Sequence, residues 1–395
     1  MTRKPPSAAQ SFVFTVVIIV ASVLVDPGQA QTFNVIHNFT NGSDGSAPLA
    51  GLVMDSSGNL YGTGSGGGSY GYGVAFKMSR SGAETVLHAF TGGSDGGYPQ
   101  SRLIMDQSGN LYGTTYNGGA KDLGAVFMIP AKGGEKVLYS FAGGSDGANP
   151  YGDLVMDLGG HLYGTTTAGG ANGAGTVFEV SGQSERVLHS FGSGTDGATP
   201  VAGLVFDSRG NLYGTASAGG TYGFGVIFEL ARSQSGWTET VLHNFELLSD
   251  GGVPYAGLVY RGGNLYGAAT DGGGDDSSGG GTIFELTPSG ASWNFNVIYG
   301  LPGWGISGTF RDVMFDNSGN LYATTHCDGE NDAGTVYELT PAAGTWSYNE
   351  LYVFTGGTDG MYSFSNLVLD KQGNLYGTTN EGGANGHGVV FRVTP

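Results

Sequence analysis

The chain has one cysteine, Cys327, in 395 residues, so it holds no internal disulfide and its stability has to come from packing. Charge is scarce as well: 12% of residues are charged, and 15 basic residues against 33 acidic ones leave a formal net charge of -18. A field of that sign repels nucleic acid and anionic membrane surfaces, which removes both from the partners to consider. Beyond the N-terminal segment, no stretch keeps apolar residues at the three-and-four spacing of an amphipathic helix, so almost no helix is expected. There is no serine-hydrolase elbow, zinc-protease helix, phosphate-binding loop or spaced cysteine pair, and therefore no motif that names a reaction.

Long apolar runs are missing except near the start. Phe12 to Val25 is apolar but short for a transmembrane helix; with Arg3 and Lys4 before it and Gly28-Gln29-Ala30 after it, the segment reads as a secretory signal over residues 1–30. The mature chain is expected to begin at Gln31, to carry no membrane span and to be secreted, periplasmic or displayed on the cell surface. An uncleaved anchor is the alternative.

What the chain has in excess is glycine, 77 residues, beside 21 Tyr and 21 Phe that supply ample apolar area to bury. The glycines follow a pattern. A Gly-Asn-Leu-Tyr-Gly segment recurs with little change, its leucine falling at Leu60, Leu111, Leu162, Leu212, Leu265, Leu321 and Leu375, with intervals of 50 to 56 residues. That period suits one propeller blade per repeat. In the first copy, four β-type runs (Leu52 to Met54, Asn59 to Thr63, Val74 to Met78 and Thr85 to Phe90) are separated by Gly, Ser and Asp. The expectation is an all-β, seven-bladed β-propeller over residues 31–395. The phase of the ends supports it: the mature chain opens on a lone fourth-strand motif, Phe33 to Phe39, and closes after a third strand, Phe391 to Val393. Together these fragments complete one blade and close the ring, leaving no open edge.

Repetition also explains most polar residues. Asp55, Asp106, Asp157, Asp207, Asp316 and Asp370 open Asp-x-x-Gly-Asn turns, where an aspartate accepts backbone N–H bonds. His37, His88, His189 and His243 share one fourth-strand position with Tyr139, Tyr299 and Tyr352, so the position calls for a flat hydrogen-bonding ring; His161 replaces a turn asparagine. The Ser-Asp-Gly aspartates Asp44, Asp95, Asp146, Asp196, Asp250 and Asp359 read as a turn device, with weak Ca²⁺ binding as the alternative.

The units Gly-Leu-Val-Met-Asp-Ser-Ser-Gly-Asn-Leu-Tyr-Gly-Thr (Gly51 to Thr63) and Val-Leu-His-Ala-Phe-Thr-Gly-Gly-Ser-Asp-Gly (Val86 to Gly96) resemble the GloVer tandem repeat, named for Gloeobacter and Verrucomicrobia. The resemblance covers almost all of residues 33–395. It implies export, often with a surface anchor, and a propeller-like fold; it carries no assigned activity or catalytic residues.

Candidate site residues are those that depart from the repeat on the loop-bearing face. The position just before each first strand varies, and Arg102, Asp153, Arg311 and Asp312 form a mixed-charge rim there, either to orient a polar ligand or to pair with one another. Tyr151, Tyr255, Phe310 and Phe364 precede the first strands of their blades, with Tyr98, Trp304 and Tyr362 close by; such rings suit the C–H faces of sugars or pack between blades. Trp237, Trp293 and Trp346 fall in hairpins of the opposite face and read as packing. The sixth blade departs most, with His326-Cys327-Asp328-Gly329-Glu330-Asn331-Asp332 in a loop that is elsewhere Gly, Ala, Ser and Asn; the seventh adds Glu381 and His387 and the fifth Asp271, Asp275 and Asp276. Catalysis would fall to His326, Asp328, Glu330 and His387. A metal would be held by His326, Asp328, Asp332 and Glu381, with Ca²⁺ or another divalent cation as the cofactor, and Zn²⁺ or Mn²⁺ suiting mixed imidazole and carboxylate ligands.

Three functions fit these residues. The leading one is a monomeric interaction module that binds a glycan or other extracellular polymer through the loop face. The others are an extracellular carbohydrate-active hydrolase or lyase using the fifth-to-seventh-blade sector, and a purely structural surface repeat. Propellers host all three, so the site has to decide.

Overall fold

The computed structural model describes Met1 and residues 31–395 apart from 193, 235, 274–278, 291 and 304–306. The expected signal segment, Asp275, Asp276 and Trp304 thus lie outside the described residues. Gln31–Pro395 is one compact unit made of seven antiparallel sheets, each with four principal strands. Among the described residues the helical structure is a single 3-10 turn, Gly144–Asp146, and no helix is long and apolar enough to cross a membrane.

The first blade shows how the repeat folds. Its strands are Val53–Met54, Leu60–Gly64, Val74–Met78 and Glu84–Ala89, paired in sequence order. Asp55 shapes the first hairpin: Oδ1 accepts the Ser57 and Asn59 N–H groups at 2.9 Å each, and Oδ2 accepts the Asn59 amide at 2.7 Å and the Tyr61 hydroxyl at 3.1 Å. The same set recurs at Asp106, Asp207 and Asp370, and His161 takes the asparagine's part at Asp157. The signature therefore has a physical reason at each letter. Asn and Tyr bind the turn aspartate, and Leu60 is buried in the core. A Cβ on Gly62 would sit 2.8 Å from the Phe76 ring, so only glycine lets that ring lie flat across the blade. Thr63 donates to the Ser101 carbonyl of the next blade at 3.1 Å.

Neighbouring blades are joined by phenylalanines. At most seams the last residue of the outer-strand motif is a Phe that meets the third-strand ring of the following blade edge-on, as in Phe90 with Phe127 and Phe141 with Phe178, both at 5.1 Å. All four rings are fully buried, and truncating one such side chain costs about 3–5 kcal/mol. A β-bulge recurs between the third and fourth strands, for example between Ala75 and Phe76, and aims the His88 ring and Phe90 to their separate partners.

Ring closure follows the expected phase. Thr32–Asn38 pairs antiparallel with Val389–Thr394, setting Phe33 opposite Val393 and Val35 opposite Phe391. The seam this creates carries the standard contacts: Phe39 meets Phe76 at 5.4 Å, and Thr378 donates to the Ala50 carbonyl at 2.9 Å. The Ala47 N–H bonds the His387 carbonyl at 3.0 Å, the equivalent of Tyr98 to Tyr72 and Tyr362 to Ala333 at other seams.

Candidate functional site

The Ser-Asp-Gly aspartates are committed to the fold. Asp95 accepts the Thr91 N–H at 3.0 Å and pairs with His88 Nε2 at 3.0 Å; Asp146 and Asp359 instead take the hydroxyls of Tyr139 and Tyr352, each at 2.8 Å. One carboxylate thus ties its turn to the ring of its own outer strand. Burial lowers the pKa of His37 and His189 against the opposing pull of Asp44 and Asp196, so these rings act as neutral partners near neutral pH. Among the described residues no three His, Cys, Asp or Glu side chains gather around a point that could hold a metal ion. The Ca²⁺ reading of these turns finds no ligand set there.

The mixed-charge rim is closed on itself. Arg102 gives its backbone N–H and Nε to the two oxygens of Asp153, at 2.7 and 3.1 Å. Arg311, 4% exposed, crosses from the sixth blade to donate to the carbonyls of Leu49 at 3.0 Å and Gln100 at 2.9 Å, in blades one and two. Asp312 accepts the Gly257 N–H at 2.7 Å, and burial and the nearby Asp153 raise its carboxyl above the usual range. Of the two readings of this rim, ligand contact or mutual pairing, the geometry matches the pairing: the four residues spend their polar groups on one another and on backbone. Beneath them the central channel is a cavity of about 470 Å³ whose walls include Met105, Met156, Tyr260 and Met314.

The aromatic residues divide. Tyr151 lies under the Arg311 guanidinium and belongs to the closure of the channel. Tyr255, Phe310 and Phe364, half-buried, form a continuous wall: Tyr255 to Phe310 is 5.2 Å between centroids and Phe310 to Phe364 is 5.0 Å. His326 joins this wall, 4.3 Å from Phe364, 5.0 Å from Phe310 and 4.9 Å from Tyr362. Burial pushes the His326 pKa down to about 4, so the ring is neutral near pH 7, and its Nδ1 is buried without a hydrogen-bond partner.

The expected catalytic and metal residues are not brought together as one set. Asp328, Glu330 and Asp332 line one cavity, with Asp328 buried and the other two exposed. Burial raises the Asp328 carboxyl to about 6. His387 lies elsewhere, because the end of the seventh blade's second-to-third-strand loop docks on the segment leading into the following blade, whereas the start of that loop, where Glu381 sits, pairs with the segment leading into its own blade. His387 accordingly meets Ala47 of the first blade, and the exposed Glu381 bonds Met361 through the backbone. The Trp237 and Trp293 rings pack on Tyr163 at 6.3 Å and Tyr213 at 5.8 Å in the hairpins of the opposite face. Sequence reasoning missed Glu350, an outer-strand residue that reaches the Asp328 cavity, and the exposed Tyr70 and Tyr72, which stand with the expected Tyr98. Tyr72 and Tyr98 carry a signal, since they occupy the two positions whose backbones bond across six of the seven seams among the described residues.

A seven-bladed β-propeller with a blocked channel and an aromatic loop face is the class of protein these features define. The sequence profile of the Gloeobacter/Verrucomicrobia repeat matches residues 23–205, 107–279 and 275–395, and the chain belongs to that family. No curated protein matches it. Among solved structures it is similar to the extracellular domain of a candidate one-component system from B. thetaiotaomicron, with TM-score 0.55 and 10% identity over 91% of this chain; the chain spans 40% of that protein's length. It is also similar to candidate 6-phosphogluconolactonases from Bacteroides uniformis (TM-score 0.50, 16% identity, 81% of this chain and 88% of that one) and Bacteroides fragilis (TM-score 0.50, 18% identity, 81% and 86%). At these identities the likeness shows the fold.

Proposed function

We propose that the protein is an exported carbohydrate-binding module whose site is the wall formed by Tyr255, Phe310, Phe364, His326 and Tyr362. The observation that carries this reading is the continuity of the wall: partly exposed rings in mutual contact, with no competing charge pair spent on them. Aromatic faces combine apolar area with fixed orientation, which suits the C–H faces of pyranose rings. A closed channel directs a polymer across the mouth and not into the lumen. The neutral His326 adds a flat surface and a ring nitrogen without charge. Export rests on the segment ending at Ala30, and N-terminal sequencing of exported protein should read from Gln31; a start at Met1 would replace the soluble form with an anchored one.

A glycan array on the purified protein, with and without Ca²⁺, tests binding. Alanine at Tyr255 and Phe310 should weaken the hits by roughly tenfold and leave the melting transition nearly intact. A large loss of stability with no specific loss of binding would make these rings core and end the proposal.

A further inference from the structure

The seam between the fifth and sixth blades departs from the repeat at several of its defining positions. Leu301 stands where other outer-strand motifs end in Phe, Tyr337 replaces the third-strand Phe and Ala323 the second-strand Gly. No turn aspartate answers Tyr299, which stacks on Tyr348 instead, at 5.2 Å. Here lies a cavity of about 620 Å³, whose lining includes Asp328, Glu330, Asp332, Glu350 and Tyr362 and no lysine, arginine or histidine among the described residues.

Asp328 is the informative member. It is 4% exposed, one carboxylate oxygen accepts the Thr325 hydroxyl, and Oδ2 is buried without a hydrogen-bond partner. A buried acceptor left unmade is costly, and three more carboxylates around the same space deepen the negative potential. The acids do not converge as metal ligands, and a calcium ion needs six or more oxygens around one point. An ammonium group has different needs. It is compact, presents three donors and is served by one direct carboxylate with others reached through water. Tyr362 connects this space to the aromatic wall, since it lines the cavity while its ring sits 4.9 Å from His326.

We infer that the cavity receives the ammonium group of an amino-sugar glycan whose pyranose rings lie on the adjoining aromatic wall. The inference rests on the glycan reading of that wall and adds the chemical class of the sugar: unsubstituted amine in preference to acetamide or hydroxyl.

Isothermal titration of the protein with a glucosamine hexamer, its fully N-acetylated counterpart and n-butylammonium, at a pH just above the Asp328 value of about 6, where that carboxylate is ionised and a share of the sugar amines is still protonated, tests it. The free-amine hexamer should bind roughly tenfold more tightly than the acetylated one. Asp328→Asn and Glu350→Gln should each abolish that preference while leaving the acetylated hexamer unchanged; the exposed Glu350 makes its variant safe for folding. Equal affinity for the two hexamers, or a preference that survives both substitutions, overturns the ammonium site and leaves the glycan reading standing. Butylammonium binding that Asp328→Asn removes, with neither hexamer bound, overturns the amino sugar and the glycan reading together and assigns the cavity to a lysine-bearing partner.

Discussion

The Arg311 guanidinium lies 5.0 Å over the centre of the Tyr151 ring, although one residue belongs to the sixth blade and the other to the third. No contact between adjacent blades could span that distance; the side chain crosses the channel mouth and ends among the carbonyls of Leu49 and Gln100, with Asp153 4.0 Å away. Four blades are thereby tied through one residue.

Arg311→Met should therefore destabilise the fold well beyond a surface change. It leaves two carbonyls without their donor and removes a neighbouring cation from Asp153, a loss of about 3–5 kcal/mol for a buried charge network broken on one side. Chemical denaturation measures it. A loss below about 0.5 kcal/mol, the range of ordinary surface substitutions, would mean that the channel is not held shut by this side chain.

Ring closure makes a second prediction. Deleting residues 31–40 removes the strand that pairs with Val389–Thr394 and the Phe39 ring that packs on Phe76. The seventh blade is left with an open edge and the first with an uncovered core, so cooperative melting should disappear. Retention of the full transition would show that the seven blades hold without a closed ring.

Much of this was legible from the residues. The leucine intervals and the offset ends give seven blades and their closure, because a repeat cannot bury its own faces and the leftover strand has one place to go. The turn aspartates were legible from local chemistry, since Asp55 and Asn59 are near neighbours in the chain. Arg311 was not, because its partners lie 211 and 262 residues away and nothing local distinguishes a side chain that crosses a channel from one that faces solvent. The same blindness joined His326 to His387. Both sit in equivalent loops of adjacent blades, but the way each loop docks on the following blade sends His326 to Phe364 and His387 to Ala47.

A third prediction concerns pH. Burial, with a contribution from the nearest turn aspartate, raises Glu84, Glu135, Glu185 and Glu239 to about 7. A carboxyl whose folded pKa lies above its unfolded value near 4.5 contributes stability that is present below 4.5 and lost as pH rises through about 7. Burial lowers His37, His189 and His326 from 6.5, and their contribution runs the other way, complete above 6.5 and lost as pH falls. The two trends oppose each other in mild acid. From pH 6.5 to about 8 the glutamates act without that opposition, and the melting temperature should fall. Glu239→Gln should melt higher than the wild type at the upper end of this range and gain little in mild acid; a variant that gains equally at both ends would remove ionisation as the cause.

The central claim is that ligand lies on the loop face across the sixth and seventh blades. A crystal structure of the protein with an oligosaccharide from the glycan array tests it most directly. The account predicts pyranose rings stacked on Phe310 and Phe364, with His326 and Tyr362 in contact and the Arg311 bonds to Leu49 and Gln100 intact. Density for the sugar inside the channel, with Arg311 displaced, or on the opposite face among the hairpins of Trp237 and Trp293, would contradict it.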